Sequence, residues 1–184
     1  MRKQRALFLD RDGVINADAG YTWRIEDFHF IDGVFDLCRT ACQLGYLLVV
    51  ATNQSGIGRG FYSEADFQHL TAWMRQRFAA EGAPLAAVYH CPYHPDGVGD
   101  YARHSDWRKP QPGMLLQAAT DLGLDLGQSL MVGDSEKDIA AARAAGLAAC
   151  VRLGDPAMVR SGATAVFATH AEITAWLKNY SKTN

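Results

Sequence analysis

The sequence predicts a three-layer α/β/α fold on a Rossmann-like parallel sheet, with no large cap domain. Three observations carry this. Short apolar runs at 6–9, 46–51 and 130–132 each end at polar residues, as strands buried on both faces do. Segments with helical period lie between them, and such alternation argues for a parallel sheet covered on both sides. The polar residues past those runs, among them Asp10, Thr52 and Asp134, would then meet in the crevice beyond the carboxyl edge of the sheet.

The first strand is read at 6–9. Val34, Leu37, Cys38, Ala41 and Leu44 repeat at helical spacing and give the first helix, with Gly45 as its stop. The second strand follows at 46–51. Ser63, with Asp66 three residues on, starts the next helix, whose buried stripe is Phe67, Leu70, Met74 and Phe78. A strand at 86–90 precedes a helix that Pro112 opens and Gly123 ends. After the strand at 130–132 come a helix at about 135–145, a strand at 148–152, an edge strand at 164–167 and a closing helix at 172–180. Two connections, 12–33 and 91–111, exceed the usual length of about two to six residues. Long loops at a carboxyl edge commonly shape a substrate site.

A chain of 184 residues suffices for one domain with a real core, and a single domain over 1–184 is expected. Its 18 basic and 20 acidic residues leave a formal charge of -2, which gives no general attraction for nucleic acid or anionic membrane. An anionic ligand must therefore be held by a local site. Cys38 and Cys42 fall one helical turn apart and read as small buried side chains; with Cys91 and Cys150 they suggest no disulfide framework. The basic stretch Met1-Arg2-Lys3-Gln4-Arg5 precedes an apolar run shorter than the roughly 7–15 residues of a signal peptide. No stretch approaches the ~20 apolar residues of a membrane span. The expectation is a cytoplasmic, monomeric protein without nucleic-acid or membrane partners.

Four short motifs then point to phosphoryl chemistry: Asp10-Arg11-Asp12-Gly13, Thr52-Asn53, Lys109-Pro110 and Gly133-Asp134. A carboxylate approaching a phosphate monoester meets like charge, on the order of 4 kcal/mol per unit pair at 4 Å in a surface-like dielectric. Cations must be supplied. Two carboxylates two residues apart at a strand end allow two roles. Asp10 would attack phosphorus to give an aspartyl-phosphate, and Asp12 would protonate the leaving oxygen and later take a proton from water. Mg²⁺ suits oxygen ligands, and Asp10, the backbone carbonyl of Asp12 and Asp134 could supply three. Asp138 is placed second to Asp134, because at the third position of a helix a carboxylate also suits the cap. Lys109 would neutralise the phosphoryl oxygens, while the Thr52 hydroxyl and backbone amides near Asn53 donate to them. Arg11 would touch phosphate through its amide rather than its side chain. Arg108, with its guanidinium fork beside Lys109, or Arg59 would serve a second phosphate. The Gly56–Gly60 run reads as a flexible rim.

At these residues the chain resembles the haloacid dehalogenase-like phosphatases, over about residues 6–152. More narrowly, Asp10-Arg11-Asp12-Gly13-Val14-Ile15-Asn16, Thr52-Asn53-Gln54-Ser55-Gly56-Ile57 and Arg108-Lys109-Pro110 with Pro112-Gly113-Met114 are similar to the heptose bisphosphate phosphatases. That resemblance implies removal of the 7-phosphate of glycero-manno-heptose 1,7-bisphosphate, a small sugar bisphosphate, on the route to nucleotide-activated heptose and bacterial surface polysaccharide. It also implies that Asp18, Gly20, Tyr21 and Thr52-Asn53-Gln54-Ser55 line the substrate site and that Arg108 recognises substrate. Related histidinol phosphatases keep histidinol phosphate, or another small monoester, as an alternative; a catalytically silent phosphate-binding domain is a second.

The sequence departs from the subfamily before Arg108. A zinc-holding Cys-x-His and Cys-x-Cys set is replaced by Cys91, Tyr93, Ser105 and Trp107, so one ligand remains where a structural site wants four. Cys91, His94, His104 and Asp106 form a conceivable substitute set. The expectation is no zinc, with the loop packed around Trp107, Tyr93 and its prolines.

Overall fold

A computed structural model describes residues 3–157 and 162–183; Met1 and Arg2 of the basic amino terminus lie outside the described residues. Its elements are β1 (Arg5–Leu9), α1 (Val34–Gln43), β2 (Tyr46–Asn53), α2 (Ser55–Gly58), α3 (Glu64–Ala80), β3 (Leu85–Cys91), α4 (Gly113–Leu122), β4 (Leu130–Gly133), α5 (Glu136–Ala144), β5 (Ala149–Leu153), β6 (Ala165–Phe167) and α6 (His170–Thr183). All strand pairs are parallel, in the order β3-β2-β1-β4-β5-β6. The order reverses between β1 and β4, so the segments leaving these two strands diverge and open a crevice. Leu9 pairs with Val132, and the Asp10 amide donates to the Val132 carbonyl at 3.1 Å. Asp10 and Asp134 thus emerge side by side.

Alternation along the strands builds the two outer layers. Leu7, Leu9, Leu48, Val50, Leu130 and Val132 pack with α1, α3 and α6. Ala6, Phe8, Val49, Ala51 and Met131 face α4 and α5. The expected caps are present: Ser63 and Asp66 form a capping box on α3, and α4 ends at Gly123 in the left-handed region. Pro112 is the N-cap of α4 rather than its first residue, and α6 runs longer at both ends than its apolar stripe indicates.

Two local expectations need correction. Thr52 and Asn53 close β2 itself, because the strand continues pairing with His90 and Cys91 of β3. The Gly56–Gly60 run is no loose rim: residues 55–58 form α2, and Gly56, Ile57 and Gly58 are buried. A Cβ on Gly58 would lie 2.3 Å from the Pro92 carbonyl oxygen, so the turn is docked on the 91–111 connection. That connection carries one short 3-10 turn, Gly99–Tyr101, and Trp107 sits at its surface against Tyr89 rather than at its centre.

Candidate active site

The turn after β1 is shaped by the Arg11 carbonyl, which accepts from the amides of Val14, Ile15 and Asn16. Gly13 has φ +84°, and a Cβ there would lie 2.0 Å from Asp134 Oδ2. Only glycine lets the turn and Asp134 approach this closely.

Asp10 and Asp12 stand in unlike surroundings. Asp10 Oδ1 accepts from the Arg11 amide at 2.8 Å and lies 2.9 Å from Lys109 Nζ. Burial pushes the Asp10 carboxyl up to about 7, against the pull of Lys109 and with added repulsion from Asp138 and Asp134. Asp12 Oδ1 accepts from Arg11 Nη2 at 2.8 Å and from Asn16 Nδ2 at 3.0 Å. Its Oδ2 accepts from Gln54 Nε2 at 3.0 Å. The Arg11 side chain is buried and also donates to the Thr22 carbonyl at 2.6 Å. It therefore holds Asp12, while the Arg11 amide meets Asp10 Oδ1.

Lys109 is 2 % exposed, yet charged: its Nζ meets Asp10 Oδ1 at 2.9 Å, Asp138 Oδ1 at 2.6 Å and the Ala51 carbonyl at 2.7 Å. The three acceptors match the three N–H bonds of an ammonium group. Its two carboxylate partners outweigh burial and raise its pKa, which keeps the cation in place. Asn53 fixes the backbone beneath it, donating to the Lys109 carbonyl at 2.9 Å and accepting from the Lys109 amide at 3.0 Å. Asn53 is thus a brace for Lys109. The Gln54 amide donates to the Cys91 carbonyl at 2.8 Å.

Asp138 has a larger part than its sequence position indicates. Its Oδ2 closes the capping box of α5 with Ser135, while Oδ1 holds Lys109. Among the described residues, the one group of three or more His, Cys, Asp or Glu with ligand atoms within 4.8 Å of one another is Asp10, Asp134 and Asp138. Burial and Asp138 raise Asp134 to about 6. Three convergent carboxylates with two of them held above the ordinary range lack positive charge, and hard oxygen donors suit Mg²⁺. Cys91, His94, His104 and Asp106 form no such group. His94 instead faces Arg59 at 3.1–3.3 Å and accepts from the Asp96 amide.

Two cavities flank the carboxylates. One, of about 350 Å³, is lined by Asp12, Asp18, Gly20, Tyr21, Thr22, Asn53, Gln54, Ser55 and Tyr62. It collects the expected substrate-site residues from two separate loops. The Gln54 side chain, however, is buried and engaged by Asp12, Thr52 and Tyr62. The other cavity, of about 470 Å³, is lined by residues including His104, Arg108, Lys109 and Lys137. Burial lowers the Arg108 pKa, with Arg59 adding to the effect. Arg59 lines neither cavity and lies 3.7 Å from Asp96.

Known proteins place these features in a family. The HAD-hydrolase-like family model matches residues 106–174. The chain is 52% identical over 178 residues to D-glycero-alpha-D-manno-heptose-1,7-bisphosphate 7-phosphatase of Burkholderia mallei, covering 95% of this chain and 94% of the relative. It is 48% identical over 163 residues to the corresponding beta-heptose phosphatase of Yersinia pestis, covering 87% of each. The crystal structure of D,D-heptose 1,7-bisphosphate phosphatase from B. bronchiseptica, complexed with magnesium and phosphate, superposes with a TM-score of 0.83 at 28% identity over 96% of this chain and 99% of that one.

Proposed function

The chain belongs to the heptose-bisphosphate phosphatase family of HAD-like hydrolases and is a phosphatase; we propose that it cleaves the 7-phosphate of D-glycero-manno-heptose 1,7-bisphosphate through an aspartyl-phosphate on Asp10. The observation that supports this most is the contrast between Asp10, paired with Lys109 in a metal-ready acidic group, and Asp12, caged by Arg11, Asn16 and Gln54.

Asp10 Oδ1 is engaged by two donors, which leaves Oδ2 for attack on phosphorus. As the new P–O bond forms, the bond from phosphorus to the sugar oxygen breaks, and that oxygen takes a proton from Asp12. Asp12 Oδ1 already accepts from Arg11 and Asn16, so its two lone pairs are occupied. The transferred proton therefore rides on Oδ2. In the second half-reaction the same oxygen takes a proton from water, whose oxygen displaces Asp10 and releases inorganic phosphate. Lys109 and the Thr52 hydroxyl serve the phosphoryl oxygens. Thr52 Oγ1 accepts from Gln54 Nε2 at 2.8 Å, which turns its own hydrogen outward. Mg²⁺ held by Asp10 and Asp134, with the Asp12 carbonyl, would neutralise charge on the phosphoryl group. Arg108 lies in the cationic corner with Lys137, with Arg59 near by, and suits the phosphate that is retained.

The test is phosphate release from the heptose bisphosphate, fructose 1,6-bisphosphate and histidinol phosphate, with Mg²⁺ and with chelator. A Mg²⁺-dependent preference for the heptose supports the proposal. Preference for another compound keeps the chemistry and discards the substrate, and Asp10→Asn at wild-type turnover removes the nucleophile.

A further inference from the structure

Tyr62 belongs to none of the four motifs, yet it is 7 % exposed and its hydroxyl donates to Gln54 Oε1. It reaches that point through the tight turn of α2: a Cβ on Gly56 would lie 2.2 Å from Tyr62 Cε1, so glycine there is what lets the ring in. The Gln54 side chain is 1 % exposed, and its amide is the junction of the site, with Nε2 donating to both Asp12 Oδ2 and Thr52 Oγ1.

We propose that Tyr62 is a positioning residue for proton transfer, acting through Gln54 to hold the amide with its nitrogen toward Asp12 and Thr52. A carboxamide has two orientations that fill the same space. In the reverse orientation Oε1 would face the Asp12 carboxylate, lone pair against lone pair, and would draw the Thr52 hydroxyl hydrogen away from the phosphoryl group. The Tyr62 hydroxyl gives Oε1 a donor on the far side and so selects the productive orientation. One buried hydroxyl outside the motifs thereby aims two groups of the site.

The proposal rests on Asp12 as the acid and base, and leaving-group dependence separates the two ideas. A sugar alkoxide needs a proton to depart, whereas 4-nitrophenolate does not. Single-turnover phosphoryl transfer would be followed with heptose 1,7-bisphosphate and 4-nitrophenyl phosphate, Mg²⁺ present throughout. Tyr62→Phe is expected to slow transfer from the sugar by about five- to tenfold, the worth of roughly one hydrogen bond, with a smaller loss of about two- to threefold for the aryl ester, which still feels the misdirected Thr52 hydroxyl. Asp12→Asn is expected to show the same split enlarged to about 10²–10⁴-fold. Gln54→Leu should reproduce the Tyr62→Phe split, and adding Tyr62→Phe to it should change nothing further, since the two act in series. Equal loss on both substrates, or additive losses in the double variant, would overturn the role of Tyr62. If Asp12→Asn itself lacks the split, the assignment of Asp12 fails instead.

Discussion

Replacing Asp10 by Asn should stabilise the metal-free protein at alkaline pH while abolishing turnover. The reason is the desolvated Asp10 carboxyl. It is pushed up to about 7 in the fold from the ordinary 3.8, because burial and the neighbouring Asp138 and Asp134 outweigh Lys109. A raised carboxyl pKa means that the native state binds more protons than the unfolded chain between those two values, so stability falls as pH rises through the window. The full difference of about three units corresponds to roughly 4 kcal/mol, of which roughly 2–3 kcal/mol is lost between pH 5 and 8. Asparagine imitates the protonated form and escapes the loss. In chelator, denaturant melts should therefore show D10N the more stable by roughly 2 kcal/mol at pH 5, with the gap widening by a further ~2–3 kcal/mol toward pH 8. Mg²⁺ should erase much of the divergence, because a cation bound to the native state restores the ionised group. Parallel stability curves for the two proteins across pH 5–8 in chelator would refute the reasoning.

Gly13→Ala should cost far more activity than stability, since its Cβ would lie 2.0 Å from Asp134 Oδ2; Mg²⁺ titration should show affinity weakened by about tenfold or more. Arg11→Met should destabilise the fold by about 3–5 kcal/mol in denaturant melts, because it leaves the Thr22 carbonyl and Asp12 without their buried cation. Asn53→Ala removes two reciprocal bonds to the Lys109 backbone and should lower kcat with little change in KM, a split that steady-state kinetics would read directly. His170, whose pKa burial lowers from 6.5, should contribute stability that is lost as pH falls below that value, since the unfolded chain then gains a proton that the fold resists; His170→Gln should flatten this acid limb in melts between pH 5 and 7.

Strand ends and helix caps were legible because they depend on neighbours in sequence. The apolar runs placed Asp10 and Asp134 past β1 and β4, and the Ser63–Asp66 spacing gave the start of α3. Legibility fails where one side chain has two partners distant along the chain. Nothing in the Thr52-Asn53 pair reveals that the Asn53 side chain braces Lys109, 56 residues away. Asp138 shows a cap by its spacing, and nothing in that spacing reveals that its second oxygen holds Lys109. Arg11 lies between two carboxylates in sequence, but its burial is decided by Thr22 and the aromatic rings of Phe28 and Phe67. The Gly56–Gly60 run departs from the expected rim for a related reason. Glycine-rich segments imply freedom only when nothing packs on them, and here Pro92, Tyr62 and Tyr21 approach so closely that any side chain on Gly56 or Gly58 is excluded.

The distribution of charge explains why such bracing is needed. Asp10, Asp12, Asp134 and Asp138 place four carboxyl groups around two buried cations, Arg11 and Lys109. Before a metal arrives, repulsion within this group favours side chains turned apart, and the site keeps its form because each cation is fixed by something other than the acids. Arg11 is anchored on the Thr22 carbonyl, and Lys109 on the Ala51 carbonyl and the Asn53 brace. Neutral backbone and amide partners thus set the positions from which the cations act on the carboxylates. Preorganised charge of this kind needs little rearrangement when a phosphoryl group enters, and electrostatic stabilisation of transferred phosphate depends on that economy of motion.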